Sequence, residues 1–420
     1  MLCKLNKLSD VIDYQLCCGC GVCAYLHPEF ISIVDVPAFG RRPRYTNFSF
    51  DSSILKDAMQ VCPGICLAHS KNVFNQKGLI ASLLKNWGPV LEIWEAHAAD
   101  PEIRFKGSSG GAITALALYC LEQENMTGVL HTVPDDEKPY CNKTVLSQNK
   151  IELLAGIGSR YSPASPCEKL YEVEKALQPC VVIGKPCDIA ATQNVRKLKK
   201  RLDTNIGLTI ACFCAGTPST NGTLEMLRQM GVGDPNCISG LRYRGYGWPG
   251  MTTVQGENDD NCYYQALSYK ESWGAILQKY RQWRCYICPD HTGEFADIAV
   301  GDPWYREPQK NELGQSLLLA RTERGRQIIS KAIASGYLMG NIKEAKILVA
   351  SQPNLLKTRG RLWGQIAALK LFGVPHPSFK RFNLFSSWLF HLTFREKIAS
   401  VAGTIKRIYR KKLKNRVSFE

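Results

Sequence analysis

The hydrophobic positions of this chain gather in short continuous runs separated by polar loops, a pattern typical of strands buried inside a sheet. One run spans 180–184 and another spans 206–211, with a helical segment over 188–201 between them. Strand, helix and strand in this order predict a right-handed crossover that joins two parallel strands. The pattern therefore predicts an α/β fold in the middle of the chain.

Other apolar runs predict further elements on both sides of this unit. The predicted strands lie at 30–34, 91–98, 129–133 and 316–320, and the predicted helices at 78–87, 112–121, 323–335 and 354–370. The first helix would act as a linker, and the last is basic. Strands and helices together extend the α/β prediction over most of the chain.

Differences in loop content and charge divide the chain into four regions. They are a loop-rich N-terminal module (1–75), two parts of an α/β body (76–170 and 171–350) and a helical basic tail (351–420). The N-terminal module has little apolar core of its own, so we expect it to need a bound metal centre to fold.

The composition is that of a globular protein of the cytoplasm. With 420 residues, 45% of them hydrophobic, the chain can bury a large core, and its 18 cysteines exceed ordinary usage. The first residues lack the apolar segment of a signal peptide. In a reducing cytoplasm, clustered cysteines are more often metal ligands or catalytic groups than disulfides. No run of eighteen apolar residues occurs, so we expect no transmembrane helix.

The formal charge of +16 is concentrated in part at the C-terminus, where 395–420 carries nine Lys or Arg against two Glu. The remaining excess is spread over a large body, so the charge does not predict nucleic-acid binding. An aromatic and apolar run over 382–394 precedes the basic stretch 395–416. An amphipathic helix of this charge is suited to an anionic membrane surface, and a solvated helix is the alternative. We therefore expect a cytoplasmic protein, or one held peripherally at the inner membrane surface.

The first group of cysteines follows a C-x2-C-x2-C spacing at Cys17, Cys20 and Cys23. Thiolates at this spacing converge on one iron–sulfur cluster. Cys18 lies out of phase with the motif and is interpreted as a bystander. A structural zinc site with four ligands is the alternative.

The fourth ligand of this group must come from elsewhere, because His27 stands where a bacterial ferredoxin has its next cysteine. Cys62, which precedes Pro63, is the first candidate for the fourth ligand. Cys66 and His27 are the alternatives. The departure at His27 allows one cluster in this module rather than two.

The second group of cysteines consists of Cys285 and Cys288, spaced as a metal knuckle, with Cys187 and Cys214 far upstream. The latter two lie just beyond the carboxyl ends of the predicted parallel strands, where ligand sites of α/β sheets gather. Cys212 is an alternative to Cys214, because alternation along the strand does not separate them. Zinc is again the alternative to iron and sulfide.

Small residues over 107–111 open the apolar helix at 112–121. Such residues let backbone amides approach a phosphate group, and a helix N-terminus favours the anion. Lys106 would add a positive charge beside it. The alternative is plain helix capping by Ser108 or Ser109.

Single charged residues give further candidates. His291 follows Cys288 closely and is the candidate proton donor, although a lone histidine of this kind is more often structural; no other catalytic residue is assigned. Arg242, Arg244, Arg359 and Arg361 are candidates for an anionic substrate pocket, with a solvated basic surface as the alternative.

Several segments together resemble the beta subunits of coenzyme F420 hydrogenases and dehydrogenases, a family that includes ferredoxin-dependent reductases of the chlorophyll pathway. The segments that carry the resemblance are 108–111, 159–163, 184–191, 214–219, 244–248, 285–290 and 296–302. Their agreement in this order covers most of the chain.

The resemblance implies FAD beside a 4Fe–4S cluster. It assigns Cys187, Cys214, Cys285 and Cys288 as ligands of that cluster, and makes residues 1–75 the extra ferredoxin-like module of some members, 76–170 the flavin-binding region and 171–350 the cluster-binding domain. The flavin contacts that it implies are Ser108, Ser109, Gly110, Gly111, Ser159, Arg160, Tyr161 and Lys185.

These expectations combine into an iron–sulfur flavoprotein oxidoreductase. Electrons from a small reduced carrier such as ferredoxin would pass through two 4Fe–4S clusters to FAD, and then to an organic substrate or a deazaflavin coenzyme. The alternatives are an electron-transfer subunit of a larger complex with no substrate of its own, and a zinc-stabilised binding protein.

Overall fold

The computed structural model describes residues 5–46, 52–258, 261–309 and 311–418. The N-terminal part contains α1 (Leu8–Asp13), α2 (Val22–Leu26), β1 (Ile31–Val36), β2 (Gly40–Tyr45), α3 (Lys56–Val61), β3 (Cys66–Ala68) and α4 (Leu84–Trp87).

The helix predicted over 78–87 is wrong except for its last turn, which is α4. Gly78 has a φ of +86°, and the Ile80 amide bonds the Val90 carbonyl, so tertiary contacts hold this segment in an irregular path.

The body alternates strands and helices. Its first half contains β4 (Glu92–Ala98), α5 (Pro101–Lys106), α6 (Ala112–Gln123), β5 (Gly128–Pro134), β6 (Asn142–Ser147), α7 (Lys150–Ala155), α8 (Leu170–Lys175), β7 (Cys180–Gly184), α9 (Pro186–Val195), α10 (Lys200–Asn205) and β8 (Ile206–Cys212). Its second half contains α11 (Thr220–Gln229), β9 (Ile238–Arg242), β10 (Met251–Asn258), β11 (Asn261–Ser268), α12 (Trp283–Tyr286), β12 (Ile298–Gly301), β13 (Ser316–Ala320), α13 (Glu323–Ala334) and β14 (Leu338–Ile342).

The C-terminal part is helical apart from one short strand. It contains α14 (Ala345–Ser351), α15 (Pro353–Leu371), β15 (Ser378–Lys380), α16 (Leu384–His391) and α17 (Phe394–Arg410). The apolar and basic run predicted as one amphipathic helix is thus two helices. No helix in the described ranges combines the length and apolar character needed to cross a bilayer.

The central sheet has eight strands in the order β14-β4-β13-β12-β8-β7-β5-β6. Its four middle strands, β12, β8, β7 and β5, are parallel, and antiparallel strands flank them on both sides. The predicted α/β class and the parallel pairing of β7 with β8 are therefore confirmed. Strands from 76–170 and from 171–350 share this one sheet.

Apolar side chains cover both faces of the sheet. Val181 packs with Leu208 in one core, together with α6 and α13, whereas its neighbour Val182 packs with Ala211 in the other. Because successive side chains of a strand point to opposite faces, a strand buried on both faces needs a continuous apolar run. This explains the uninterrupted hydrophobic pattern at 180–184.

The N-terminal module is docked against the rest of the chain rather than separate from it. Strand β3 pairs in parallel with β15, so residues 66–68 and 378–380 form a small sheet. The Cys167 amide donates to the Cys20 carbonyl at 2.9 Å, and the Ser165 hydroxyl donates to the Gly19 carbonyl at 2.7 Å. These contacts fix the cysteine loop at 17–23 against the body.

Candidate cofactor cavity and cysteine sets

A cavity of about 310 Å³ opens at the carboxyl ends of the parallel strands β7, β8 and β12. This volume lies at the lower end of the range for ligand pockets. The residues that line it include Ser108, Ser109, Gly111, His131, Asn142, Ser159, Arg160, Tyr161, Lys185, Cys212, Cys214, Arg244, Asp302 and Trp304. Most of the predicted cofactor-binding residues therefore meet in one place.

The start of α6 forms one wall of the cavity. Gly111 is the residue before the helix, with a φ of +70°, and no side chain caps the helix there. Neither Ser108 nor Ser109 is therefore the cap. The first amides of a helix have no partner within it, and the first-turn residues Ala112 and Ile113 line the cavity. This wall thus presents an uncapped helix N-terminus to the cavity.

Glycine is required at position 111 for two reasons. Its positive φ disfavours other residues, and a Cβ atom there would lie 2.5 Å from the Ile103 carbonyl oxygen. Gly110 also has a positive φ, +99°, and a Cβ atom there would lie 3.1 Å from Gln315. The turn before α6 therefore packs its backbone directly against neighbouring backbone.

The two serines of this turn contact protein atoms. The Ser108 hydroxyl accepts a hydrogen bond from the Ser159 amide at 2.6 Å, and the hydroxyls of Ser109 and Ser316 lie 3.2 Å apart. The structure does not bring Lys106 into the cavity wall. Its ammonium group pairs with Glu102 at 2.5 Å on the surface of α5.

Arg160 supports the opposite wall. Its guanidinium donates to the Asn142 side chain and to the carbonyls of Pro139, Cys141 and Leu241 at distances of 2.5 to 3.0 Å. Because four protein acceptors take up these donors, Arg160 orders the wall rather than offering a free cation.

Arg244 is a buried residue of the cavity wall that sequence reasoning identified only as one of four candidate pocket arginines. Its guanidinium forms two hydrogen bonds with Asp302, at 2.7 and 3.0 Å, and donates to the Ser108 carbonyl at 2.7 Å. A further bond, at 3.4 Å, reaches the Tyr161 hydroxyl. Burial lowers the pKa of Arg244, but Asp302, Tyr161 and Tyr269 together outweigh burial and raise it.

An aromatic group around this ion pair was not predicted. The rings of Trp248 and Trp304 stack 5.0 Å apart, and Tyr269 stacks on Trp304 at 5.5 Å. The Trp248 indole donates to Asp302 at 2.8 Å. The available signal was the position of Asp302 and Trp304 directly after β12, at the edge of the sheet where ligand sites gather.

Lys185 directly follows β7 and lies at the cavity edge beside the body cysteines. Its ammonium group pairs with Asp188 at 2.6 Å and donates to the Ala164 carbonyl at 3.3 Å. Burial opposes the charge of Lys185, but Asp188 and then the neighbouring thiols Cys187 and Cys214 raise its pKa. A positive charge therefore lies between the cavity and this cysteine group.

Cys187, Cys214, Cys285 and Cys288, here called the body set, come together at this edge. Burial raises the pKa of the Cys214 thiol, and the proximity of Cys285 and Cys187 raises it further. Burial, with smaller contributions from Cys187 and Cys285, raises the pKa of Cys288 to about 12. The Thr217 amide donates to the Cys285 sulfur at 3.3 Å. A Cβ atom on Gly216 would lie 3.2 Å from the Cys285 Cβ, so the loop that follows Cys214 packs against the knuckle.

Cys212 also lines the cavity, but its surroundings differ. Its thiol donates to the Gly184 carbonyl at 3.6 Å, and burial raises its pKa to about 11. Cys285 contributes to the pKa of Cys214 and is not among the main contributors for Cys212. Cys214 is thus the nearer of the two to Cys285, and its role as the ligand stays a prediction.

Cys17, Cys20, Cys23 and Cys62, here called the N-terminal set, line a second, small cavity with apolar walls. Burial and then Cys17 raise the pKa of Cys62 to about 12, and Cys17 and Cys62 are also the thiols that raise the pKa of Cys23. The Gly19 amide donates to the Cys17 sulfur at 3.3 Å. The four predicted ligands of the N-terminal module thus surround one space.

The alternative ligands lie elsewhere. Cys66 begins β3 and does not line this cavity. The His27 side chain lies 2.6 Å from Asp57 and is not part of the cavity lining. Cys18, interpreted from the sequence as a bystander, lines the small cavity, and its thiol lies close to that of Cys187, which is the main reason that the pKa of Cys187 is lowered.

His291, the candidate proton donor, is placed behind the body set rather than in the large cavity. Its Nδ1 lies 2.8 Å from the Cys214 carbonyl oxygen, and its Nε2 is buried without a partner. Burial lowers the pKa of His291 to about 4, so the ring is neutral at pH 7. These contacts are those of a residue that supports the Cys214 backbone.

The α/β body of this chain is similar to known proteins. Residues 93–172 match the family model "Coenzyme F420 hydrogenase/dehydrogenase, beta subunit N-term", and residues 177–345 match the corresponding C-terminal model. The coenzyme F420 hydrogenase beta subunit of Methanococcus voltae is 26% identical over 288 residues, covering 67% of this chain and 96% of that protein.

Two further comparisons extend this similarity. The F420-dependent formate dehydrogenase beta subunit of Methanocaldococcus jannaschii is 25% identical over 58% of this chain and 59% of its own length. A chain of the F420-reducing [NiFe] hydrogenase complex of Methanosarcina barkeri has the same fold, with a TM-score of 0.50 and 21% identity over 66% of this chain and 94% of that chain. These relatives are subunits of electron-transferring oxidoreductases. The two matched ranges cover more than half of the chain, which therefore belongs to the coenzyme F420 hydrogenase/dehydrogenase beta-subunit family.

Proposed function

We propose that this chain is an iron–sulfur flavoprotein oxidoreductase that passes electrons from a small reduced carrier such as ferredoxin, through two 4Fe–4S clusters and FAD, to an organic substrate or a deazaflavin coenzyme. The observation that carries the proposal is the arrangement of the two cysteine sets. The body set shares Cys214 with the wall of the large cavity. The loop that carries Cys17, Cys20 and Cys23 approaches the body set where Cys18 lies close to Cys187.

The donor chemistry of both sets fits iron–sulfur clusters. Each set offers four thiols in buried surroundings, with one backbone amide hydrogen-bonded to a sulfur. Within the described ranges, no three His, Cys, Asp or Glu side chains converge closely enough to hold a single metal ion. Four thiolates around one zinc ion need Zn–S distances of about 2.3 Å, whereas a cluster of iron and sulfide holds its thiolates farther apart. The C-x2-C-x2-C spacing of Cys17, Cys20 and Cys23 is the observation that favours a cluster over zinc.

The large cavity fits the phosphate-bearing part of a flavin dinucleotide at its α6 wall. The helix N-terminus there has no side-chain cap, which leaves amide donors for an anion, and the close backbone packing at Gly111 keeps the approach open. Bound FAD would accept electrons one at a time and transfer them in pairs. The chain itself would orient it with Ser108, Ser159 and Tyr161 and hold a positive charge at Lys185.

Anaerobic purification with iron, sulfide and flavin counted per chain tests this proposal. We expect a brown protein with two clusters and one FAD per chain. Colourless protein that holds zinc would instead support the zinc-stabilised binding protein.

A second candidate is an electron-transfer subunit of a larger complex without its own substrate, and the relatives favour it because they are themselves subunits. Affinity purification of the tagged full chain from its own cells separates the two candidates. A stable stoichiometric partner would support the subunit, and reduction of a deazaflavin by the isolated chain would support the complete reductase.

We also propose that α16 and the start of α17 contact an anionic membrane surface. Phe390 and Phe394 are 75% and 77% exposed at the corner between these helices, and Phe385 and Ile398 are also exposed. α17 continues into a basic end whose lysines and arginines complement anionic lipid. A partner protein is the other occupant that such a corner would fit.

Vesicle sedimentation tests the membrane contact. Phe390→Ser together with Phe394→Ser should weaken binding to vesicles that contain anionic lipid by about tenfold, because two exposed aromatic side chains no longer insert. Leu177→Ser is the control, since Leu177 is 91% exposed elsewhere on the surface. Equal sedimentation of all three proteins, or equal binding to neutral vesicles, would contradict membrane contact and leave a protein partner.

A further inference from the structure

Arg284 joins the two cysteine sets through a single side chain. It lies in α12, immediately before Cys285, and only 3% of it is exposed. One terminal nitrogen donates to the Ile287 carbonyl at 3.1 Å, and the other donates to the Pro63 carbonyl at 3.1 Å. Pro63 follows Cys62 and Ile287 precedes Cys288. The same guanidinium therefore holds the backbone beside a ligand candidate of each set.

This buried cation has no carboxylate partner. Among the ion pairs of the described residues, none includes Arg284, and its Nε is buried without an acceptor. An arginine is always charged in a protein, and burying a charge without a counter-ion is costly. A fold that keeps Arg284 at this position therefore needs negative charge nearby from another source.

The ionisable groups that surround Arg284 are thiols from both sides of the contact. Cys18 belongs to the N-terminal loop, and Cys187, Cys285 and Cys288 belong to the body set. Thiolates, or clusters held by four thiolates, are the negative charges that this arrangement would provide.

We propose that Arg284 is a positioning residue shared by the two cluster sites, which holds the N-terminal set against the body set and raises the reduction potential of both clusters. This inference rests on the proposed function. Reduction adds negative charge to a cluster, and a fixed cation in buried surroundings stabilises the more negative state. Removing the cation should therefore make both clusters harder to reduce.

Arg281 offers a matched comparison three residues earlier. Its guanidinium donates to the carbonyls of Ala215 and Gln278, which are both in the body, and its charge lies beside Cys285. Like Arg284 it lies near the knuckle, but its hydrogen bonds stay within the body. Its loss should affect the body cluster alone.

Redox titration of the anaerobic full-length protein, followed by electron paramagnetic resonance, tests the proposal. Arg284→Met should move the midpoints of both clusters to more negative values, Arg284→Lys should keep both near those of the wild type, and Arg281→Met should move only the body midpoint. The spectrum of Cys285→Ser, which is expected to lack the body cluster, assigns each signal. Unchanged midpoints in Arg284→Met, or a change in one midpoint only, would overturn the shared role.

If Arg284→Met loses its clusters, its midpoints cannot be measured, and the iron content of Arg284→Lys then decides the test. Arg284→Lys retains the charge, so two clusters with wild-type midpoints in that variant support the proposal, whereas loss of iron there too would overturn the role of the charge. Wild-type protein without cluster signals would refute the proposed function before Arg284 is considered. Two wild-type clusters with unchanged midpoints in Arg284→Met would refute the Arg284 inference alone.

Discussion

The two cysteine sets present similar chemistry but are assembled in different ways. Three members of the N-terminal set, Cys17, Cys20 and Cys23, lie within seven residues, and one local loop brings them together. The body set draws on three segments, and Cys187 and Cys214 meet the knuckle only because β7 and β8 are adjacent parallel strands. A short motif identifies the first set, whereas the second depends on the topology of the sheet.

Their surroundings also differ. The N-terminal set encloses a small space with apolar walls formed by residues such as Val11 and Ile33. The body set opens on the large cavity through Cys214 and has the charged Lys185 beside it. Under the proposed function, the first site would receive electrons and the second would deliver them to a cofactor in the cavity.

The largest expected effect comes from breaking the body set. Cys285→Ser should remove about half of the iron and abolish reduction of the flavin by the electron donor, because a cluster with three thiolates is not held. Iron analysis and stopped-flow absorbance of the flavin measure both. Cys237→Ser, which changes an exposed cysteine of neither set, is the control. Normal flavin reduction in Cys285→Ser would refute the proposed electron path.

Breaking the N-terminal set should have a narrower effect. Cys62→Ser should also lose about half of the iron and lose reduction by ferredoxin, yet dithionite should still reduce the flavin through the remaining cluster. Cys66→Ser should behave as the wild type, because Cys66 does not line the small cavity. If the two variants exchange these results, the fourth ligand is Cys66.

A smaller effect should follow from a change in the cavity wall alone. Gly111→Ala introduces a Cβ atom 2.5 Å from the Ile103 carbonyl oxygen at a positive φ, which costs about 2–4 kcal/mol in strain and displaces the start of α6. Flavin content should fall while both clusters remain, as measured by absorbance and iron analysis. Gly336→Ala is the control, since Gly336 has a φ of +75° and open space around it. Full flavin content in Gly111→Ala would argue against binding at this helix.

The elements that the sequence predicts well are those with continuous apolar runs. The strand predicted at 316–320 is β13 with the same bounds, and the helix predicted at 323–335 is α13 to within one residue. The helix prediction for 78–87 was wrong because Leu83 and Trp87 are buried by contacts with distant residues rather than by a regular helical face. The helix predicted over 188–201 is divided into α9 and α10.

The candidate site, too, has features that the sequence predicts and features that it does not. Spacing and the residues beyond strand ends identified eight cysteines as two sets of four, and their role as cluster ligands stays a prediction. The sequence did not reveal that four protein acceptors bind the Arg160 guanidinium, that Lys106 lies outside the cavity wall, or that Cys18 lies against Cys187. The Arg160 and Cys18 contacts join residues that are far apart in the chain.

The sequence by itself determined the thiol chemistry, the α/β class and the parallel order of β7 and β8, because these follow from residue types and periodicity over short distances. The tertiary structure decided how the parts face one another. Arg284 meets Pro63 across 221 positions, and Arg244 meets Ser108 across 136. Such contacts form only when the chain folds, since burial and the geometry of packed elements, rather than local spacing, select which distant groups become neighbours.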